Sequence, residues 1–555
     1  MKPLSLSVFA IAGCTLGASG LQAQQAVAKK APQPKRPNIL FCIADDATYV
    51  HFSAYGCRWT HTPAFDRVAR EGILFQNCYT PNAKSAPSRS CVLTGRNSWQ
   101  LKEAGNHVGN FPAEFRVFTE ALGSNGYAVG STGKGWAPGN PGMADGKVRE
   151  LTGKVYNDRV LAPPTTGIYK TDYAANFTDF LNDAGSGPWF FWYGGHEPHR
   201  GYEYGTGERL GNMRRDMIDH VPAYWPDCDT VRTDMLDYGF EIEWFDGQLG
   251  KMLAELERRG LLDNTLVVVT ADNGMPFPRS KANDYEFSNH MPLAMRWPAG
   301  IKGAGRKEAG YVSFIDFAPT FLDVAGVSQK TSGMQAITGA SLRDIIADKQ
   351  TPEAREARRS ILLGRERDDY GRPHNQGYPI RAILRDGILF ATNCKPDLYP
   401  AGDPLTGYLD IDGSPTKTRI LNMWRSGSEQ GKAFYLWSFA PRPAEEMYDV
   451  RKDPDCMTNL ADVPAYAATK EKLRVELERR LREQGDPRME GNGDIFDNYP
   501  FAEQKSENFY ERVASGEIRE PWRQTNWVNA SDYDLYLDKL RKGEVKPYRK
   551  KTDAE

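Results

Sequence analysis

Two short apolar runs, each ending in acidic residues, constrain this chain most. Asn38-Ile39-Leu40-Phe41-Cys42-Ile43-Ala44 is followed at once by Asp45-Asp46, and Thr265-Leu266-Val267-Val268-Val269-Thr270 is followed by Asp272-Asn273-Gly274. Continuous runs of this length read as strands buried on both faces, the pattern of a parallel sheet. A third run, Trp189 to Tyr193, leads into Gly194-Gly195-His196-Glu197-Pro198-His199-Arg200. Before the second run, residues 236–259 have helical periodicity, with Phe240, Trp244, Leu249, Leu253 and Leu256 on one face and Gly260 as the stop. Strands alternating with helices predict an α/β fold with a mostly parallel sheet. Ligands of such sheets bind beyond the carboxyl ends of the strands, where all three polar clusters sit.

The later part of the chain reads differently. Arg381 to Arg385, then Asp386-Gly387, then Ile388 to Ala391 resembles a hairpin. Met447-Tyr448-Asp449-Val450 reads as a further strand and 467–484 as a charged amphipathic helix. These elements predict a smaller C-terminal α+β domain. The expected plan is a signal peptide at 1–23, a linker at 24–37, a catalytic domain at 38–370, the α+β subdomain at 371–490 and an extension at 491–555. The stretch 539–551 carries seven Lys/Arg and one Glu. It reads either as a solvated terminus or as a contact for an anionic glycan or membrane surface.

The N-terminus has the pattern of an export signal. Lys2 supplies the positive start, Leu4 to Leu16 is mostly apolar, and Leu21-Gln22-Ala23 offers a cleavage site before Gln24. A periplasmic or secreted protein is expected. The alternative is a lipoprotein anchored at Cys14, since Ile11-Ala12-Gly13-Cys14 resembles a lipobox. No internal run is long and apolar enough for a transmembrane span. Seventy basic and 72 acidic residues leave a net charge of −2, which argues against a nucleic-acid binder. The eight cysteines, Cys14 among them, include no CxxC pair or zinc spacing.

The strongest local motif is Ser85-Ala86-Pro87-Ser88-Arg89-Ser90-Cys91-Val92-Leu93-Thr94-Gly95-Arg96. It resembles the signature of the formylglycine-dependent (type I) sulfatases: Cys or Ser, then x-Pro-Ser-Arg, then Leu-Thr-Gly. Asp45-Asp46 early, Lys134 in the middle and Asp272-Asn273 late stand in the family's order, so the resemblance spans about 36–480. It implies an alkaline-phosphatase-like fold, a mostly parallel sheet sandwiched by helices. It also implies that Ser85 is oxidised to formylglycine before export, by a radical-type maturase in the cytosol, because the other maturation route requires cysteine. A serine hydroxyl is a weak nucleophile, whereas an aldehyde hydrate carries two hydroxyls on one carbon.

Asp45, Asp46, Asp272 and Asn273 are oxygen donors of the kind that select calcium or magnesium over zinc. The resemblance implies Ca2+, with the modified Ser85 as a further ligand. Arg89, Lys134, His196 and Lys281 are the candidates to hold sulfate and move protons, and His199 and Arg200 are the candidate substrate contacts. Arg200 reads equally well as a structural ion pair. One position departs from the family. A histidine normally follows the middle lysine at Lys-x-His, but here Lys134 is followed by Gly135-Trp136, and an indole has no basic nitrogen. His107 is a weak substitute that reads better as structural.

Asp272 to Pro278 and His196 to Arg200 look most like the heparan N-sulfatase (sulfamidase) branch, although Trp136 and Lys281 depart from it. The expected activity is an exo-acting sulfatase on a sulfated carbohydrate, with sulfamidase activity as the alternative. Two other classes compete: a phosphatase or phosphonate monoesterase on the same fold, and a non-catalytic glycan-binding protein.

Overall fold

The apolar runs pair as neighbouring strands at the centre of one sheet. The computed structural model describes residues 36–547; the expected signal segment, Cys14 and nearly all of the expected linker lie outside them. Strands β1 (Asn38–Ala44), β2 (Ile73–Tyr79), β3 (Ala128–Gly133), β4 (Lys154–Val155), β5 (Trp189–Gly194), β6 (Thr265–Ala271), β7 (His290–Arg296), β8 (Arg306–Glu308) and β9 (Val312–Ser313) form this sheet. Their order is β8-β2-β7-β6-β1-β5-β3-β4, with β9 also pairing with β2. β1 runs parallel to both β6 and β5, and β5 to β3. Among the described strands of this sheet only β7 is reversed, antiparallel to β6 and to β2.

Alternate residues of β5 show why two helical layers are needed. Phe190 packs against Phe118 and Phe321, on α3 (Phe118–Ser124) and α6 (Phe317–Val324). Its neighbour Phe191 faces the other way, onto Phe177 and Phe180 of α4 (Tyr173–Asp183). Tyr193 stacks on Phe245 of α5 (Asp229–Arg258). With side chains alternating across the pleat, both faces are apolar and both are covered. This is the alkaline-phosphatase-like sandwich. α1 (Pro63–Arg70) packs on α5, with Asp246 accepting the backbone N–H groups of Ala64 and Phe65 at 2.9 and 2.7 Å.

A second sheet of β10 (Ser360–Arg365), β11 (Ile380–Arg385), β12 (Ile388–Asn393) and β13 (Glu445–Asp449) is antiparallel throughout. The β11–β12 turn is Asp386-Gly387, both at positive φ (53° and 83°), the geometry that suits the twist of a two-residue hairpin. α7 (Ala467–Glu483) lays Leu473, Leu477 and Leu481 onto Ile383, Phe390 and Met447 of this sheet. The second sheet begins at Ser360, ahead of the expected boundary at 371. The cysteines among the described residues are all free thiols.

Candidate active site

Register alone brings the first two acidic clusters together. Ala44 at the end of β1 sits opposite Ala271 at the end of β6, so Asp45 and Asp272 leave adjacent strands side by side. The Asp272 N–H donates to Ala44 O at 3.0 Å, and the Asp46 N–H donates to Asp272 Oδ1 at 3.0 Å. Asp46 has φ +71°, a left-handed bend that takes two consecutive carboxylates off the strand alternation and into one site. One carboxylate oxygen each from Asp45, Asp46 and Asp272 lies within 4.8 Å of the others. Asn273 donates its Nδ2 to Asp46 Oδ1 at 2.6 Å, and its Oδ1 faces Ser85.

Ser85 opens α2 (Ser85–Thr94), whose ten residues are all buried. Pro87 fits the first turn, where an N–H has no partner to lose, and Gly95 at φ +69° ends the helix. Ser85 Oγ lies 3.0 Å from Asp45 Oδ1, 3.4 Å from Asn273 Oδ1 and 3.0 Å from Lys134 Nζ. One turn on, Arg89 donates Nε to Asp272 Oδ2 at 2.8 Å and Nη1 to the carbonyls of Lys134 and Gly135. Its Nη2 is buried, 3.6 Å from Asp45 Oδ1 and without a hydrogen bond.

Lys134 follows β3. Its Nζ bridges both Asp45 oxygens at 2.8 and 2.6 Å. Glycines make this placement possible: Lys134 N–H donates to Gly194 O at 2.7 Å, and a Cβ on Gly133 would meet that oxygen at 2.0 Å. Trp136, at the departure from the family pattern, donates Nε1 to Ala86 O at 3.0 Å and Ser90 Oγ at 2.7 Å. Its indole therefore fastens the first turn of α2 instead of supplying a base.

The third cluster divides. His196 stacks on Tyr169 (centroids 3.8 Å, 9°). Burial pushes its imidazole down to about 3, with Lys134 and Arg89 adding to the effect against Asp45, so at neutral pH it is uncharged. His199 keeps Nδ1 on the Arg200 carbonyl at 3.0 Å and turns Nε2 to within 3.8 Å of Asp46 and 4.0 Å of Asp412. Arg200 does not reach the cavity. Its guanidinium forms a bidentate pair with Asp234 at 2.7 and 2.9 Å, donates to Pro276 O, and lies over Phe277. Of its two readings as substrate contact or structural ion pair, the geometry gives the second.

Lys281 is buried between two carboxylates, 2.6 Å from Asp46 and 2.7 Å from Asp412. Those charges, Asp412 foremost, hold its ammonium form against burial. Asp412 is a site residue that sequence reading missed, together with Lys84 and Asp369. Lys84 pairs with Asp369 at 2.6 Å, and Asp369 also takes His107 Nδ1 at 3.1 Å. Ser85, Lys134, Lys281, His199, Asp412, Lys84, Asp369 and His107 line one cavity of about 290 Å3. Only the adjacency of Lys84 to Ser85 could have signalled any of these extra residues.

The donor set fits a divalent cation. Three carboxylates and an amide oxygen converge with no thiol among them, the chemistry of hard oxygen-seeking ions. Burial and the neighbouring Asp45 carboxylate push Asp272 up to about 6, a crowding that a cation relieves.

The sulfatase family model matches residues 37–327, just over half of the chain. The chain belongs to the sulfatase family. It is a sulfuric ester hydrolase by that membership. It is 28% identical over 480 residues to the human N-sulphoglucosamine sulphohydrolase (81% of this chain, 91% of the relative). It is 26% identical over 491 residues to an ulvan-active sulfatase of Formosa agariphila (82% of this chain, 76% of the relative). Among solved structures, a protein in complex with its substrate D-glucosamine-2-N,6-O-disulfate superposes at TM-score 0.59 and 22% identity, covering 81% of this chain and 99% of that one. The phosphonate monoester hydrolase of Agrobacterium radiobacter shares the fold at TM-score 0.57 and 18% identity, covering 81% and 96%.

Proposed function

We propose that this sulfatase removes sulfate from a sulfated carbohydrate, one chain-end residue at a time, after Ser85 has become formylglycine and with Ca2+ held by Asp45, Asp46, Asp272 and Asn273. The observation that carries the reading is the placement of Ser85 Oγ within 3.0–3.4 Å of Asp45, Asn273 and Lys134 on the floor of an open cavity. Ser85, once oxidised and hydrated, would supply the nucleophilic oxygen, and a cation held by Asp45, Asp46, Asp272 and Asn273 would lower its pKa and offset sulfate charge.

The rest follows from the chain's own residues. Arg89 and Lys134 hold positive charge beside Ser85, where the anionic oxygens of a bound sulfate ester would lie as the group is transferred. Lys281, kept charged by Asp46 and Asp412, offers N–H donors to sulfate oxygens. His199 Nε2 stands near them as the group to hand a proton to the departing sugar oxygen. Neutral His196 donates or accepts a hydrogen bond without adding charge. The names of the relatives support a sugar as the leaving group, and the cavity's size supports a chain end over an internal position.

N-sulfate cleavage is the second reading, favoured by the likeness to the human sulphohydrolase over most of both chains. The oxygen-rich donor set weighs against a phosphatase with two zinc ions, which would need more histidines. Export to the periplasm or medium and maturation by a radical-type enzyme in the cytosol complete the proposal.

The test uses protein made in a host with an anaerobic maturase. The peptide carrying Ser85 should be lighter by about 2 Da, the two hydrogens lost on oxidation to the aldehyde. Sulfate should be released from a panel of sulfated sugars, stop with a calcium chelator and return with Ca2+. An unmodified Ser85 in active protein, or full activity without metal, rejects the proposed chemistry.

A further inference from the structure

The cavity has two sides of different origin. The floor comes from strand ends and α2, inside the family-matched 37–327. The opposite side includes Glu503, Lys505, Asn526 and Trp527, from the last 55 residues of the chain. That segment is firmly seated. Phe501, Phe509, Trp522, Val528 and Tyr533 bury together with Val108, Tyr370 and Leu409. Ala502 N–H donates to Val108 O at 2.8 Å, beside cavity-lining His107. Gly413 N–H donates to Trp527 O at 2.7 Å, next to Asp412, and a Cβ on Gly413 would meet Asn529 N at 2.5 Å. The extension thus holds the loop of one site residue and borders the pocket itself.

Trp527 is the informative side chain. It is part-buried, set edge-on to Tyr370 (5.5 Å, 87°), and its only polar atom is spent on Leu409 O at 2.9 Å. What remains for the cavity is aromatic carbon. Such a surface suits the C–H face of a pyranose, an apolar patch on a molecule whose edges are polar. Asn526 beside it is exposed, with an amide that can both donate and accept. Glu503 and Lys505 pair with each other at 2.6 Å, both more than half exposed. A solvated pair of this kind contributes about 1 kcal/mol at most, so a ligand's hydroxyl or acid group can re-pair either member cheaply. Small-molecule sites run from roughly 300 to 1,000 Å3, and a cavity of about 290 Å3 takes one sulfated sugar residue.

We propose that the C-terminal extension carries the sugar-recognition wall of this enzyme: Trp527 is the platform for one pyranose ring, and Asn526, Glu503 and Lys505 read the ring's polar edge. The inference rests on the carbohydrate-sulfatase reading above and adds which part of the chain selects the sugar.

The matured full-length enzyme tests it with two substrate types, 4-nitrophenyl sulfate and the best-cleaved member of a panel of sulfated mono- and disaccharides. The readout is the ratio of kcat/KM for the sugar to kcat/KM for the aryl ester. Trp527→Ala should lower that ratio about tenfold or more, chiefly through KM for the sugar, since it removes ground-state binding at a distance from the reacting bond. Trp527→Phe keeps a ring and should recover most of the ratio. Asn526→Ala, at an exposed position safe for folding, should shift it about two- to fivefold in the same direction. Thermal melts confirm that each variant is folded. An active wild type whose ratio does not move in Trp527→Ala and Asn526→Ala, or cleavage of the aryl ester with no sugar, overturns the wall. Wild-type protein that carries formylglycine yet releases sulfate from neither substrate type overturns the functional reading itself.

Discussion

The floor and the wall of the cavity are built on opposite principles. The floor residues Ser85 and Lys281, and Asp45, Asp46, Arg89, Asp272 and Asn273 packed around them, are buried and held by strand register, a helix start and direct ion pairs. The wall residues Glu503, Lys505 and Asn526 are exposed on a single 3-10 turn and a loop, tied down by backbone hydrogen bonds and a separate small core. Bond breaking needs atoms placed to within a few tenths of an ångström, which rigid strand ends supply. Recognising a sugar tolerates looser geometry, and loops can vary without disturbing the reaction.

Substitutions can break this contrast or sharpen it. The largest effect is expected from Ser85→Ala, which removes the proposed precursor of the nucleophile. Sulfate release should fall by about 10⁴-fold or more, with a near wild-type melt, because only side-chain hydrogen bonds are lost. Detectable turnover in purified protein would contradict the assignment. Next comes Lys281→Ala. It leaves Asp46 and Asp412 buried without their cation, so about 3 kcal/mol of stability should go, together with about 100-fold in kcat/KM. Denaturant melts and kinetics on one preparation check both, and unaltered kinetics would remove Lys281 from the floor.

Arg200→Ala separates structure from recognition. The loss of the buried pair with Asp234 should again cost about 3 kcal/mol, while kcat/KM per folded molecule should stay within about threefold of wild type. A large rise in KM in stable protein would return Arg200 to the substrate site.

The smallest effect concerns Asp284, buried near Arg365. Burial pushes its carboxyl up to about 7, with Arg365 opposing. A raised folded-state pKa favours the protonated form, so its contribution to stability is complete below about pH 4 and is lost as the pH rises through about 7. Asp284→Asn, neutral at every pH, should therefore gain on wild type by about 2.5 kcal/mol between pH 5 and pH 8. Urea melts at both values measure the gap, and a constant difference would show that the carboxyl is ionised throughout.

The floor could be read in the sequence because its parts follow recognisable local patterns. Asp45-Asp46 and Asp272-Asn273 each close an apolar run, and Ser85 to Gly95 is a contiguous motif. The wall could not. Asp412 lies in Asp410-Ile411-Asp412-Gly413, which looks like any polar turn, and it reaches Lys281 from 131 residues away. Trp527 stands in a stretch without helical or strand periodicity. The start of α5 was obscured for a different reason. Asp234, Asp237 and Glu241 are buried on it, Asp234 holding Arg200 and Asp237 accepting the N–H groups of Gly205 and Gly207, so polar residues occupy what should be an apolar stripe. The real helix begins at Asp229, seven residues before the expected start.

The complete burial of α2 also bears on how the enzyme comes into being. Ser85 borders the cavity, but the helix it opens is buried at all ten positions with Trp136 latched across it, so a second protein could not grip the segment around it. If Ser85 is edited as proposed, the reaction has to finish while the polypeptide is still open, and each newly made molecule has one brief chance to become an enzyme. Chains that close first would be correctly shaped, stable and permanently inert.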